Sequence, residues 1–135
     1  MNLKQGYHKE AAGARKRFCQ FLQLNPETIE EYKYWHKNIW KEIPEGIRKA
    51  GILDMEIFFI KDMAFMIVET PLDFDWDVAF GRLAFFERQA EWEAFVGKFQ
   101  MSVVGTGDVQ SLRSEEKWQL MERIFSLPEA LNVRE

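Results

Sequence analysis

Apolar residues recur along this chain with two different periods, and the changes of period divide it into elements. Residues 17–24 form a short apolar run closed by Asn25-Pro26, which reads as a strand. Asn25 is suited to cap a following helix and Pro26 to fill its first turn, while Glu27, Glu30 and Glu31 complement the positive end of the helix dipole. Ile29, Tyr32, His36 and Ile39 then recur at steps of three and four, which predicts a helix from Pro26 into Trp40. Pro44 is expected to break it, with a second helix carrying Ile47 to Ala50 and Gly51 as the residue after its end.

Alternation takes over in residues 52–60 and 63–69, joined by Lys61-Asp62, and predicts a β-hairpin. Thr70-Pro71 ends it. Residues 75–100 return to helical spacing, in two pieces that part near Arg88, with Trp92, Phe95 and Phe99 on one face. Residues 104–114 read as a loop, and residues 117–127 as a final strand closed by Pro128. The order β-α-β-β-α-β is the ferredoxin-like arrangement of the α+β class. Its sheet carries helices on one face only. A second copy is the economical cover for the other face, so a homodimer is expected.

Composition narrows the picture. A chain of 135 residues suits one domain, here residues 17–135, preceded by a polar, flexible leader over residues 1–16. The net charge of -4 lacks the basic excess of a nucleic-acid binder, and Arg15-Lys16-Arg17 reads as a solvated entry to the first strand. No run approaches the ~20 apolar residues of a membrane span, the start lacks the apolar stretch of a signal peptide, and the single Cys19 points to no disulfide. A cytoplasmic protein is the default reading. Aromatic residues make up 15% of the chain, enough to furnish a crowded core or an interface.

Few residues offer chemistry. His8 lies in the leader, which leaves His36, one helical turn beyond Tyr32 and surrounded by Trp35, Ile39 and Trp40. An imidazole beside a phenol and apolar walls can exchange protons near neutral pH, and indole faces are common floors for pyranose rings. The same spacing is also satisfied by a helix packed on the sheet with His36 as a polar edge residue. Glu56 and Glu69 interrupt apolar strands, where a carboxylate is paired, solvated at an edge, or set in a polar cleft. No HExxH or Cys/His cluster suggests a metal, and Gly105-Thr106-Gly107 fits neither a phosphate loop nor a dinucleotide fingerprint. No cofactor is expected.

The segment Tyr32-Lys-Tyr-Trp-His36-Lys-Asn-Ile-Trp40 resembles the Y-x-x-x-H-x-x-I-W motif of the L-rhamnose mutarotase family. Gln23-Leu-Asn-Pro26, Gly51 ahead of the hairpin and Glu122-Arg-Ile-Phe125 agree with that family in order and spacing, so the resemblance covers residues 17–128. It implies a dimeric α/β barrel of ferredoxin-like subunits and interconversion of sugar anomers without a cofactor. It also implies that His36 is the proton donor, that Tyr32 binds substrate and that Trp92 is the first of a sugar-binding tryptophan pair. The second of that pair is Glu93 here, and a substrate-contacting tyrosine of the hairpin is Met55. The stretches Gly51 to Glu56, Phe65 to Thr70 and Asp73 to Trp76 are more similar to relatives associated with L-fucose, which is slightly favoured over L-rhamnose.

On this reading His36 is the catalytic acid to the ring oxygen, Tyr32, Trp92, Trp40 and Glu69 bind the monosaccharide, and Glu69 or Glu93 serves as the partner base. Two rivals remain open from sequence: a haem-handling or oxidative dimeric α/β barrel with His36 as ligand, and a non-catalytic sugar-binding module.

Overall fold

The computed structural model describes residues 2–9, 13–101 and 117–133. Strand β1 (Lys16–Leu24) runs antiparallel to β3 (Met63–Thr70), which in turn pairs with β2 (Asp54–Ile60). The other edge of β1 carries two short antiparallel segments in line, β4 (Gln100–Met101) opposite Leu24 and Gln23 and β5 (Gln119–Leu120) opposite Phe21 and Gln20, giving the order β2-β3-β1 with a divided fourth strand. Helices α1 (Ile29–Lys37), α2 (Glu42–Lys49), α3 (Trp76–Leu83) and α4 (Gln89–Val96) connect these strands, and α5 (Leu127–Val133) ends the described chain. This is the ferredoxin-like α+β arrangement expected from the element order.

The local devices are those the residues dictate. The Asn25 side chain accepts from the Glu27 amide at 3.1 Å and starts a 3-10 turn over Pro26–Thr28 ahead of α1. The Asp75 carboxylate caps α3 by accepting from Val78 N–H at 3.0 Å. Helix α2 closes in a Schellman motif: Gly51 N–H donates to Arg48 C=O at 3.0 Å and Ile52 N–H to Ile47 C=O at 3.4 Å. Gly51 needs φ +101° to do so, a conformation that glycine adopts without a Cβ penalty. The motif turns the chain straight into β2.

Three expectations are corrected. The first helix stops at Lys37 rather than reaching Trp40. There the Asn38 amide nitrogen bonds the Tyr34 carbonyl and closes the last turn. Pro44 breaks nothing: it sits in the first turn of α2, where a missing N–H costs no intrahelical bond. The final strand is far shorter than residues 117–127. Only Gln119–Leu120 (β5) joins the ladder, and Pro128 lies in the first turn of α5 instead of ending a strand. The alternation of Leu120, Glu122 and Ile124 has no covering surface among the described residues, and Ile124 is 91% exposed. The loop expected over residues 104–114 lies outside the described residues.

The sheet has two unlike faces. Leu22, Leu24, Ala64, Met66 and Val68 point toward the helices and are buried with Tyr32, Ile43, Phe80, Leu83 and Trp92 in one core. The alternate residues, Cys19, Phe21, Phe58, Phe65 and Ile67, lie on the outer face, away from that helix-covered core, and Tyr7 packs edge to face on Phe58 there. Phe21 and Phe65, directly opposite in the β1–β3 register, stack with ring centroids 5.6 Å apart. Among the described residues, no helix is long and apolar enough to cross a membrane.

Candidate active site

Helix α1 brings Tyr32 and His36 to its inner side one turn apart, and their rings tilt together with centroids 4.2 Å apart. From α4, the Trp92 ring meets the His36 ring edge to face with centroids 5.5 Å apart, and the Trp40 ring packs on Trp92 with centroids 5.1 Å apart. The guanidinium of Arg88, which takes φ 62° to start α4, covers the Trp40 ring at 4.0 Å. Tyr32, His36 and Trp92 all face one internal cavity. Trp40 does not line it; it stands behind Trp92 and fixes that ring. Of the sequence-predicted set, these four come together.

Glu69 does not join them. It lies on the outer sheet face, 5% exposed, held by Arg15 at 2.9 Å, by Arg17 at 2.8 Å and by Lys9 at 3.4 Å. Burial alone would raise its carboxyl, but the hydrogen bonds from Arg17 and Arg15 and the Lys9 charge outweigh that and hold it below its ordinary value. Glu69 is therefore an ion-paired carboxylate, separated from His36 by the sheet. The cavity beside it, about 590 Å³, is lined by Lys9, Arg15, Arg17 and Arg123 among others and lies on the face away from the imidazole.

The inner cavity is small and polar at one end. Its volume of about 80 Å³ holds two or three waters at ~30 Å³ each. It shares His36, Ile39, Ile47, Met55 and Ile57 with an open groove of about 410 Å³ between the α1–α2 side and β2. His36 sits where the two meet, and the groove is of the size of small-molecule pockets, ~300–1,000 Å³. Met55 and Glu93, the two departures from the family pattern, both line the inner cavity.

Four polar residues of that cavity carried no functional reading in the sequence. Gln20, Gln89, Gln100 and Lys117 are all buried and all face it. Among the described residues, the Tyr32 hydroxyl, Gln89 Oε1 and Gln100 Oε1 have no hydrogen-bond partner. Buried polar atoms seldom stay unsatisfied, and three orphans around one cavity mark a place built for a polar guest. Gln89 does spend its amide nitrogen on the Glu93 carboxylate at 2.8 Å, and Lys117 Nζ donates to the Glu93 backbone carbonyl at 3.1 Å. Gln20 had a signal: it breaks the inward-facing series Phe18, Leu22, Leu24. Lys117 had none, since it follows two glutamates in a charged run.

Electrostatics define the state of His36. Its Nδ1 lies 2.9 Å from the Tyr32 carbonyl oxygen, which can only accept, so Nδ1 carries the proton and Nε2 is left as the acceptor. Burial lowers the imidazole below its ordinary value, and the bond to the Tyr32 carbonyl offsets this in part, so the ring is neutral at pH 7. Burial likewise pushes the Tyr32 phenol far up, and the Gln100 side chain, close by but outside hydrogen-bonding geometry, offsets part of this. It stays protonated at any working pH. No group of three or more candidate metal ligands occurs among the described residues.

A neutral imidazole with one fixed tautomer, a buried phenol and an indole wall, set in a ferredoxin-like α+β scaffold, define an acid–base site for a small polar molecule. The L-rhamnose mutarotase family profile matches residues 17–127, and the chain belongs to that family, isomerases that interconvert sugar anomers. It is 32% identical to an L-fucose mutarotase of Xanthomonas campestris over 89% of this chain and 94% of the relative. It is 35% identical to a UPF0734 protein of Dictyostelium discoideum over 83% of this chain and 90% of that one. Among solved structures, an L-rhamnose mutarotase of Formosa agariphila superposes with a TM-score of 0.62 at 18% identity, covering 83% of this chain and 98% of the other. Tetracenomycin F2 cyclase of Streptomyces glaucescens shares the fold with a TM-score of 0.54 at 15% identity, covering 82% and 95% of the two chains.

Proposed function

We propose that this protein interconverts the α and β anomers of a 6-deoxy-L-hexose, L-fucose slightly ahead of L-rhamnose, with His36 moving the proton. The observation that carries the reading is the fixed tautomer of His36 at the junction of a polar cavity and an open groove. L-fucose is favoured because the L-fucose relative matches over 89% of this chain, whereas an L-rhamnose relative at 49% identity matches over only 27%. Met55 and Glu93 add to this: a tyrosine and a tryptophan in the family pattern are replaced, at the cavity wall, by groups that read hydroxyls differently.

With Nδ1–H given to the Tyr32 carbonyl, His36 enters the reaction as the base, the reverse of the role expected from sequence. Nε2 takes the proton of the anomeric hydroxyl, the anomeric oxygen forms the carbonyl, and the bond to the ring oxygen opens. Rotation about the bond beside the carbonyl turns its other face to the ring oxygen, and closure returns the proton from His36. Mutarotation occurs unaided in water, so one positioned acid–base group, worth ~10²–10⁴-fold, is a sufficient contribution. Trp92 offers the indole face on which the sugar packs, and the Tyr32 hydroxyl a polar contact. The opposite placement of Glu69 speaks against it as a partner in this step.

The apolar outer sheet face suits a second copy of the chain, so the active form is proposed to be a homodimer, working in the cytoplasm without a cofactor. Saturation-transfer NMR between the anomeric protons of L-fucose and L-rhamnose tests the activity directly. Wild-type protein is expected to speed exchange of L-fucose at least as much as that of L-rhamnose, and His36→Ala to abolish the acceleration with its fold intact. Undiminished exchange in His36→Ala would remove His36 from the mechanism.

A further inference from the structure

The inner cavity, at about 80 Å³, is too small to take in a hexose, so the body of the sugar has to lie in the groove of about 410 Å³. The two spaces join at His36, Ile39, Ile47, Met55 and Ile57, which line both. The outer end of the groove is walled by residues that do not reach the inner cavity: Pro44 and Arg48 from α2, Ile52 and Leu53 ahead of β2, and Asp54 at its start. Pro44 and Arg48 stand one helical turn apart, so α2 turns a single face to the groove. Arg48 and Asp54 are the charged side chains of that end.

Their states differ. Asp54 is ion-paired with Lys9. The exposed Arg48 side chain makes no hydrogen bond or ion pair among the described residues. The other cations that line the cavities described above are engaged. Lys9, Arg15 and Arg17 gather on Glu69, Arg123 pairs with Glu129, and Lys117 donates to the Glu93 carbonyl. A guanidinium presents N–H donors in a rigid planar fork, which suits two neighbouring oxygen acceptors. The groove therefore has a proton acceptor, His36 Nε2, at its inner end and an unengaged fork of donors at its outer end.

Pyranose geometry decides which hydroxyls meet that fork. With the anomeric carbon at His36, C4 lies across the ring, so its hydroxyl and that of the neighbouring C3 face the outer end. On the mutarotase reading just given, we infer that Arg48 is a specificity-determining residue, its guanidinium donating to the C3 and C4 hydroxyl oxygens of the bound hexose. L-fucose and L-rhamnose differ in configuration at C2 and C4, and the C4 hydroxyl is axial in the first and equatorial in the second. A fork held at C4 therefore bears on one of the two centres that separate these sugars. The apolar walls between the two ends, Ile39, Ile47 and Ile52 among them, suit the C5 methyl of a 6-deoxy sugar. Arg48 stands away from the reacting bonds, so it governs how tightly and in which orientation the sugar is held, while the proton transfer stays with His36.

Saturation-transfer NMR on the hexose that exchanges faster, and on its 4-deoxy and 2-deoxy counterparts, separates this role from a structural one. All three sugars keep the anomeric centre and the ring oxygen, so all three can mutarotate. In the wild type the 4-deoxy sugar should show a KM at least about tenfold higher than the parent, the worth of a hydrogen bond from a charged donor. Arg48→Met should raise KM for the parent to that of the 4-deoxy sugar, with kcat and the effect of the 2-deoxy change as in the wild type. Arg48→Lys, which keeps the charge without the fork, should keep part of the preference. A merely structural arginine would not respond to the C4 hydroxyl. Equal KM values for the parent and the 4-deoxy sugar in the wild type overturn the inference without any variant, and so does Arg48→Met with the full C4 preference. A wild-type protein that accelerates exchange of neither L-fucose nor L-rhamnose sinks the mutarotase reading itself, whereas normal exchange indifferent to C4 sinks only the role of Arg48.

Discussion

Replacing Tyr32 by Phe should make the protein more stable and a poorer enzyme. Tyr32 is 3% exposed, and its hydroxyl has no hydrogen-bond partner among the described residues. A buried hydroxyl left unsatisfied costs ~1–3 kcal/mol, so removing the oxygen recovers some of that and loses no bond to the protein. The ring contact with His36 at 4.2 Å stays. Water in the adjoining cavity of about 80 Å³ recovers part of the cost already, which puts the gain near the low end, about 1 kcal/mol. At ~2.1 cal/mol/K per residue, a chain of 135 residues unfolds with an entropy of about 0.28 kcal/mol/K, so Tm should rise by about 3–4 °C. The same oxygen is a contact offered to the sugar, and its loss should raise KM by roughly three- to tenfold, the range of one hydrogen bond. Thermal melts followed by circular dichroism, paired with saturation-transfer kinetics, read both effects. A variant that melts several degrees lower than the wild type would refute the reasoning, because the hydroxyl would then be holding the fold together.

Three further outcomes follow from the charges and faces. His36 accepts its proton below the ordinary imidazole value of about 6.5, because burial disfavours the imidazolium, so the acid limb of the activity profile should have its midpoint below 6.5. Stability has the matching sign: between about 6.5 and the lower folded value the unfolded chain binds the extra proton, so stability falls as pH drops through that window and is unaffected above it. A pH series of melts on wild type and His36→Asn should show this slope only in the wild type, and a midpoint for activity above 6.5 would contradict it. Glu69→Gln leaves Arg15, Arg17 and Lys9 without their shared counter-charge and should cost about 1–3 kcal/mol by urea denaturation, with kcat unchanged. A large fall in kcat at full stability would return Glu69 to the active site. Phe65→Glu, which puts a charge in the apolar outer face, should convert a dimer to a monomer in light scattering, and a monomeric wild type would end the dimer proposal.

Sequence reasoning reached the elements whose signals are local. The turn at Lys61, which adopts φ 57°, the parting of two helices at Arg88 and the cap at Asn25 each depend on a few adjacent residues. Tyr32 and His36 were legible for the same reason, because one helical turn brings them together whatever surrounds them. Glu69 was not. Strand parity assigns a face only when one face is apolar and the other polar, and here Met66 and Val68 share β3 with Phe65 and Ile67. With apolar residues on both sides, the pattern could not say whether Glu69 met the helices or looked outward, and the partners that decide it come from residues 9, 15 and 17. The divided fourth strand was beyond reach for a related reason: its two halves are recognised only through their register on β1.

The same geometry explains how a shared chemistry can serve different sugars. Helix α1 supplies Tyr32 and His36, whose relation is fixed by helical spacing and by the Nδ1 contact within the helix itself. The opposite walls come from elsewhere: Met55 from β2, Gln89 and Glu93 from α4, Gln100 from β4 and Lys117 from the approach to β5. On the proposed function, changes on those walls re-aim hydroxyl recognition without moving the imidazole, because among the described residues the hydrogen bond of His36 stays within α1. Trp92 links the sides, meeting the His36 ring edge to face and braced by Trp40. Departures from the family pattern at Met55 and Glu93, with Tyr32, His36 and Trp92 unchanged, are the distribution that the proposed function calls for: a change in the sugar held beside a retained proton transfer.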